Sequence, residues 1–318
     1  MTYGIIGGVL WALETVVLGI ALSMTPFVSS EKAIFLAPFV STFVHDAFSA
    51  LWATGYNLVR KNEKKVINAV FHTKSGRFII LGALIGGPVG MTGYVLAVNN
   101  MGSSIGAVAS AIYPAIGSVL AFIFLKEKMP WYRWILLLIT LLGVYGLSYS
   151  PDIEMKNFAL GIVGALMCSF GWGTEAVILA KSFQDAQVKD EYALQIRQTT
   201  SALFYALIIL PVLNGWGFTV SLFTNINIKL ILTIALAALF ATSSYLFYYK
   251  AIAKIGPSKA MALNVSYSAW AIVFTVIILR DTSVLSPLTV GCSLVVIICS
   301  ILSAADINAL FTKKERNK

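Results

Sequence analysis

Ten apolar runs, most of about 20 residues or more, follow one another along the chain, at approximately 3–24, 32–59, 78–98, 103–125, 131–149, 157–182, 190–214, 228–252, 257–280 and 285–309. A helix needs about 20 apolar residues to cross roughly 30 Å of hydrocarbon. Spanning strands must alternate in polarity and close into a barrel, whereas runs such as "WILLLITLLGVYGL" are apolar on every side. The expected fold is therefore an all-α integral membrane protein with ten transmembrane helices. The composition agrees: 58% of residues are hydrophobic and 12% charged, against about a quarter charged in soluble domains. Met1 leads almost directly into the first run, with no basic segment or small-residue cleavage site, so no removable signal peptide is expected.

The net charge of +9 does not point to nucleic acid once its distribution is considered. With the N-terminus in the cytoplasm, 18 of the 23 Lys and Arg residues fall in inner segments and 4 in outer ones. Such a bias predicts that both termini are cytoplasmic. Cys168, Cys292 and Cys299 fall inside expected spans without metal-ligand spacing, so they read as packing residues, and neither a disulfide framework, a metal site nor a cofactor is expected.

At an offset of 154 residues the chain resembles itself. The stretch 101–128 lies over 255–282, pairing Gly102 with Gly256, Ser104 with Ser258, Tyr113 with Tyr267, Ala115 with Ala269, Lys126 with Arg280 and Glu127 with Asp281. The expected organisation is a first five-helix repeat, 1–150, and a second, 151–318, ending in a short basic tail. Five is odd, so the halves enter the membrane from opposite sides. Inverted repeats of this kind are the usual build of secondary transporters, which expose a midplane site to each side in turn.

Few ionisable residues lie within the runs: Glu14, His45, Asp46, Glu175 and Arg197. Each costs about 2.5–3.5 kcal/mol at a helix centre, so each should face a partner or a watery cavity. "WALET" (11–15) and "WGTEA" (172–176) place Trp11 with Glu14, and Trp172 with Glu175, three residues apart on equivalent helices. Both pairs are expected on one cavity, with Tyr113, Tyr267 and Tyr245 completing an aromatic lining. Aromatic faces attract a quaternary ammonium by about 2 kcal/mol when desolvated, and a carboxylate supplies the counter-charge. Glu175 could alternatively neutralise Arg197, and His45–Asp46 could be a local pair. Trp131, Tyr132, Trp134, Tyr56 and Trp216, near span ends, read as interfacial anchors. In "LIGGPVGMTG" (84–93), Pro88 is expected to kink a closely packed helix; Pro114 weakens helix 4, whereas the matching Ser268 is not expected to weaken helix 9.

Ten spans in two inverted halves, the ends "LKEK" and "LRDT", and an arginine early in helix 7 ("IRQTTSALF") resemble the drug/metabolite transporter (EamA-like) superfamily. Narrower stretches, "VHDAFSAL", "GGPVGM", "SAIYPAIGSVLAF", "WGTEAVI", "IRQTTS" and "ALNVSYSAW", resemble the Lic-type bacterial choline importers. The resemblance implies choline uptake across a bacterial cytoplasmic membrane by alternating access, coupled to protons, with Trp172, Glu175, Tyr113 and Tyr267 lining the site. The superfamily often carries an arginine in helix 2; here Pro38 stands opposite Arg197, which moves attention to His45–Asp46.

The expected function is import of choline or a similar quaternary ammonium cation. Substrate is held by Trp11, Trp172, Tyr113, Tyr267 and Tyr245, and Glu175, Glu14, His45, Asp46 and Arg197 handle charge balance or the proton. The membrane potential favours cation entry by about 2.3 kcal/mol per 100 mV. An exporter of amino acids or other metabolites on the same fold is the alternative. A membrane enzyme is not expected, for no metal-spaced histidines or long polar loop occur; a channel would want a ring of like charges. Expected partners are a choline-like cation and membrane lipid, with no nucleic acid; oligomeric state is left open.

Overall fold

The computed structural model describes residues 1–101, 111–149, 157–225 and 227–305. Gly102 and Ser104 of the repeat, and the basic tail, lie outside the described residues. Those described form helices and no strand. In chain order they are α1 (Thr2–Leu22), α2 (Thr25–Val28), α3 (Glu31–Val59), α4 (Glu63–His72), α5 (Lys74–Met101), α6 (Tyr113–Leu125), α7 (Trp131–Leu147), α8 (Phe158–Ser182), α9 (Asp190–Val212), α10 (Trp216–Thr224), α11 (Ile228–Ile255), α12 (Pro257–Leu279) and α13 (Pro287–Ala304).

Eight of these helices, α1, α3, α5, α8, α9, α11, α12 and α13, are long and apolar enough to cross a membrane; α6 and α7 are apolar but shorter. The count of long spans thus falls two below the expected ten among the described residues. The run 103–125 is described only from residue 111, and α7 is held to 17 residues between Pro130 and Ser148. Three short helices, α2, α4 and α10, were not expected from the apolar pattern.

Several helices start on polar caps that satisfy otherwise orphaned N–H groups. Ser30 accepts from Ala33 N at 3.1 Å, Thr73 from Gly76 N at 2.9 Å, Asn157 from Leu160 N at 3.0 Å and Ser286 from Thr289 N at 3.1 Å. At the other end, α6 and α12 both terminate on a left-handed residue, Lys126 (φ 56°) and Arg280 (φ 55°). These two are partners in the 154-residue repeat, so equivalent positions share a conformation that L-residues rarely adopt.

The principal packing partnerships follow the same exchange. Helix α1 packs on α11, as α8 packs on α5; α8 packs on α6, as α1 packs on α12; α3 packs on α11, as α9 packs on α5. Of the remaining large contacts, α7 with α13 and α3 with α9 map onto themselves, whereas α12 packs on α13 much more extensively than the described part of α6 packs on α7.

Three long helices are not regular throughout. A π turn spans Ile85–Val89 of α5, around Pro88, and another spans Tyr205–Ile209 of α9, shortly before Pro211. Such insertions are a recognised cause of kinks. Trp216, expected as an interfacial anchor, donates its indole N–H to Ala206 O within the second turn at 3.0 Å. Helix α12 breaks at Val265–Ser266, just before Tyr267, and α6 begins after a turn at 111–112, just before Tyr113. The expectation that Ser268 leaves its helix intact is therefore corrected. Ser266 and Ser268 donate their hydroxyls to Leu263 O (2.7 Å) and Val265 O (3.0 Å), which satisfies carbonyls released by the break.

Glycine lets α5 and α8 touch backbone to backbone. A Cβ on Gly164 would lie 2.6 Å from both Ala97 N and Gly93 O, and neither backbone can move aside cheaply. Gly164→Ala is expected to destabilise the protein by about 1–3 kcal/mol, read as a lower melting temperature in detergent. Gly291→Ala on α13, where nothing lies within 4 Å, is expected to leave stability unchanged or raise it by up to about 1 kcal/mol through helix propensity.

Candidate substrate cavity

The turn before Tyr113 and the break before Tyr267 precede two phenol rings that meet at a cavity lined by both halves of the chain. Trp11, Tyr113, Trp172, Glu175, Tyr245, Tyr248, Tyr249, Asn264 and Tyr267 line it, with Ala176 and Leu179. Its space is about 50 Å³, room for about four waters at the usual 10–15 Å³ each.

The rings meet mainly edge to face, which leaves some ring faces free to border the cavity. Trp11 stands against Tyr245 at 4.9 Å between centroids (84°) and against Tyr267 at 6.4 Å (73°). On the opposite wall Tyr113 meets Trp172 at 5.6 Å (88°), and Tyr94 stacks on the same indole at 6.0 Å. Asn264 Nδ2 donates to the Tyr113 hydroxyl at 3.0 Å, tying α12 to α6 at the site.

Glu175 forms the charged part of this wall. Its Oε1 accepts from Arg197 Nε at 3.1 Å and from the Tyr249 hydroxyl at 3.4 Å. The glycines of α5 make room for this side chain and its neighbour. A Cβ on Gly86 would collide with the Glu175 carboxylate, and one on Gly90 would sit 3.0 Å from the Trp172 indole. The "GGPVG" stretch thus serves the site as well as helix packing.

Of the two tryptophan–glutamate pairs, Trp11, Trp172 and Glu175 line this cavity, but Glu14, expected there too, is not part of the lining. Three residues along a helix is a rotation of about 300°, and Glu14 turns instead to α3, with Oε1 3.6 Å from His45 Nε2. His45 Nδ1 lies 3.0 Å from Asp46 Oδ1, and Asp46 Oδ2 lies 3.7 Å from Arg197 Nη1. Arg197 Nη1 also donates to Gln198 Oε1 at 2.7 Å, and the guanidinium carbon stands 5.0 Å from the Tyr245 ring centroid. All five ionisable residues are thereby joined in one buried cluster running from Glu14 to Glu175. Three carboxylates face one guanidinium and one imidazole, so positive charge is in deficit. Arg197 itself is outside the cavity lining; of the Arg197–Glu175 pair, only the carboxylate partner borders the cavity.

Reasoning from sequence missed Asn264, Tyr94 and Gln198. Asn264 sits beside a helix break that hydropathy does not reveal, and Tyr94 acts through Trp172 rather than on the cavity. Among the described residues, no group of three or more His, Cys, Asp or Glu is arranged to hold a metal ion.

Comparison with known proteins accords with this architecture. Residues 1–149 match the EamA-like transporter family. Over 314 residues the chain is 26% identical to Protein LicB of Haemophilus influenzae, covering 99% of this chain and 98% of that protein. It also shares its fold with a protein of known crystal structure, at a TM-score of 0.68 and 13% identity, over 98% of this chain and 97% of the other. The first 149 residues are thus similar to EamA-like transporters, and both sequence comparisons point to a multi-pass membrane transporter rather than an enzyme.

Proposed function

We propose that this transporter imports choline or a similar quaternary ammonium cation by alternating access. The observation that carries the reading is the cavity itself: seven aromatic residues surround a small space whose one acidic or basic side chain is a carboxyl, that of Glu175. A trimethylammonium group donates no classical hydrogen bond, so ring faces and a nearby negative charge are what can recognise it. Trp11, Trp172, Tyr113, Tyr267 and Tyr245 form the cage, and Glu175 supplies the charge. Part of Tyr245 is already engaged by Arg197, which leaves the two tryptophans as the principal contacts.

The charge deficit of the buried cluster supports coupling to protons. With His45 neutral, the cluster is short of two positive charges. A cation beside Glu175 offsets one, and a proton at the Glu14–His45–Asp46 end offsets the other. This arrangement suits cotransport of one proton with one cation, in addition to the drive of the membrane potential, about 2.3 kcal/mol per 100 mV.

The architecture proposed for this function is ten spans in two inverted five-helix repeats, 1–150 and 151–318, in a bacterial cytoplasmic membrane with both termini inside. Exchange of packing partners between the halves and the matched left-handed ends at Lys126 and Arg280 support it. A second reading, an exporter of zwitterionic metabolites, has one observation in its favour: the Arg197–Glu175 pair offers both signs of charge. It is the weaker one, because Arg197 does not border the cavity.

Two tests follow. Proteoliposomes with an inward-negative potential are expected to take up radiolabelled choline saturably. Trp172→Ala and Glu175→Gln should each lower that uptake by about tenfold or more, the equivalent of roughly 1.4 kcal/mol, and an imposed pH gradient should change the rate of the wild type. Saturable uptake of a zwitterionic amino acid without choline uptake would favour the exporter. For orientation, a cysteine at Lys64 should react with an impermeant maleimide only after the cell is opened, and one at Ser283 in intact cells; the reverse pattern would invert the topology.

A further inference from the structure

A second and larger cavity, about 430 Å³, opens at the lysine-rich end of the helix bundle, and Phe183 lies between it and the cage, its ring 6.1 Å from that of Tyr249. Its walls are the α6–α7 connection, the end of α8 and the α11–α12 junction. Three cationic side chains border it, Lys128, Arg133 and Lys259, against one acid, Glu127.

Glu127 is already engaged. Its Oε2 accepts from the Ser258 hydroxyl at 3.0 Å and from the Ser258 backbone N–H at 3.5 Å. Gly256 permits this approach: its φ is 84°, and an added Cβ would sit 2.8 Å from the Glu127 carboxylate. Burial pushes the Glu127 carboxyl above its ordinary range, and the Ser258 hydrogen bonds, Lys259 and Arg133 pull it back.

Arg133 points to a ligand. It is only 6% exposed, and its Nε is enclosed without a hydrogen-bond partner. Its guanidinium carbon stands 5.8 Å from the Tyr132 ring centroid, a contact that does not engage the Nε–H donor. Glu127 attracts this guanidinium without forming a close ion pair with it; a buried guanidinium so placed is costly, and its planar fork fits two oxygens of a phosphate. Lys128 and Lys259 provide further positive charge on the same cavity.

We infer that this basin binds a phosphate-bearing anion, with Arg133 as the bidentate contact and Lys128 and Lys259 as the supporting charges. The same chemistry is offered by a soluble phosphate and by the headgroup of an anionic phospholipid. The inference does not depend on what the aromatic cage carries.

The test uses the full chain in an uncharged detergent and inorganic phosphate as the probe, titrated calorimetrically against chloride at constant ionic strength. Saturable binding is expected, weakened about tenfold or more by Arg133→Gln, as loss of a charge-assisted bidentate contact requires. Lys259→Gln should weaken it less, and Glu127→Gln should strengthen it by removing a negative charge from the basin. Lys229→Gln, at the other end of α11, should have no effect. A parallel arm places the protein in nanodiscs of phosphatidylcholine with or without phosphatidylglycerol and counts retained lipids by native mass spectrometry. Arg133-dependent retention of phosphatidylglycerol without phosphate binding would support the site and assign it to lipid. Absence of both, or equal loss in Lys229→Gln and the basin variants, would overturn the proposal. Should Arg133→Gln fail to fold, the opposite shifts expected of Lys259→Gln and Glu127→Gln still decide it.

Discussion

Three carboxylates buried with one guanidinium and one imidazole set the terms for the rest of this structure. An ionised group deep in a membrane helix costs several kcal/mol unless paired. Removing one partner from a buried pair costs about 3–5 kcal/mol. The cluster from Glu14 through His45, Asp46 and Arg197 to Glu175 therefore holds α1, α3, α9 and α8 in one arrangement. It still leaves positive charge in deficit, and a cation or a proton is what can make that up. A transporter that must bind such species and release them benefits from a site left incomplete in this way.

Breaks and small residues let the helices serve that cluster. Tyr267 reaches the cavity just after the break in α12, and Tyr113 at the start of α6, just after a turn. The freed carbonyls of α12 are met by serine hydroxyls, as required where water is absent. Gly86 and Gly90 admit the Glu175 carboxylate and the Trp172 indole, so the π turn around Pro88 lies beside the site it accommodates. Packing and binding share the same residues in this part of α5.

Much of the architecture could be read from the sequence because lipid imposes simple rules. Long apolar runs located most of the long helices, and the offset of 154 paired Lys126 with Arg280, two positions that share a left-handed conformation. The Trp–Glu spacing identified Trp11, Trp172 and Glu175 as neighbours. It failed for Glu14, since three residues are not a whole turn and the remaining rotation delivers that side chain to His45. The break at Val265–Ser266 was also illegible: no proline marks it, and the serine hydroxyls that stabilise it are ordinary residues in an apolar run. Asn264 escaped notice for the same reason. Arg197 could be seen as a buried charge, but its ties to both Asp46 and Glu175 depend on how α3, α8 and α9 approach one another, which hydropathy does not encode.

The claim on which the functional reading turns is that ring faces and Glu175 together select a positive charge. Calorimetric titration of the purified protein with choline and with its uncharged carbon isostere, in which a tert-butyl group replaces trimethylammonium, tests this directly because shape and apolar area are nearly the same. Choline is expected to bind about thirtyfold more tightly, corresponding to roughly 2 kcal/mol of cation–π and charge attraction. Equal affinity for the two would contradict it, and would mean that the cavity recognises bulk rather than charge.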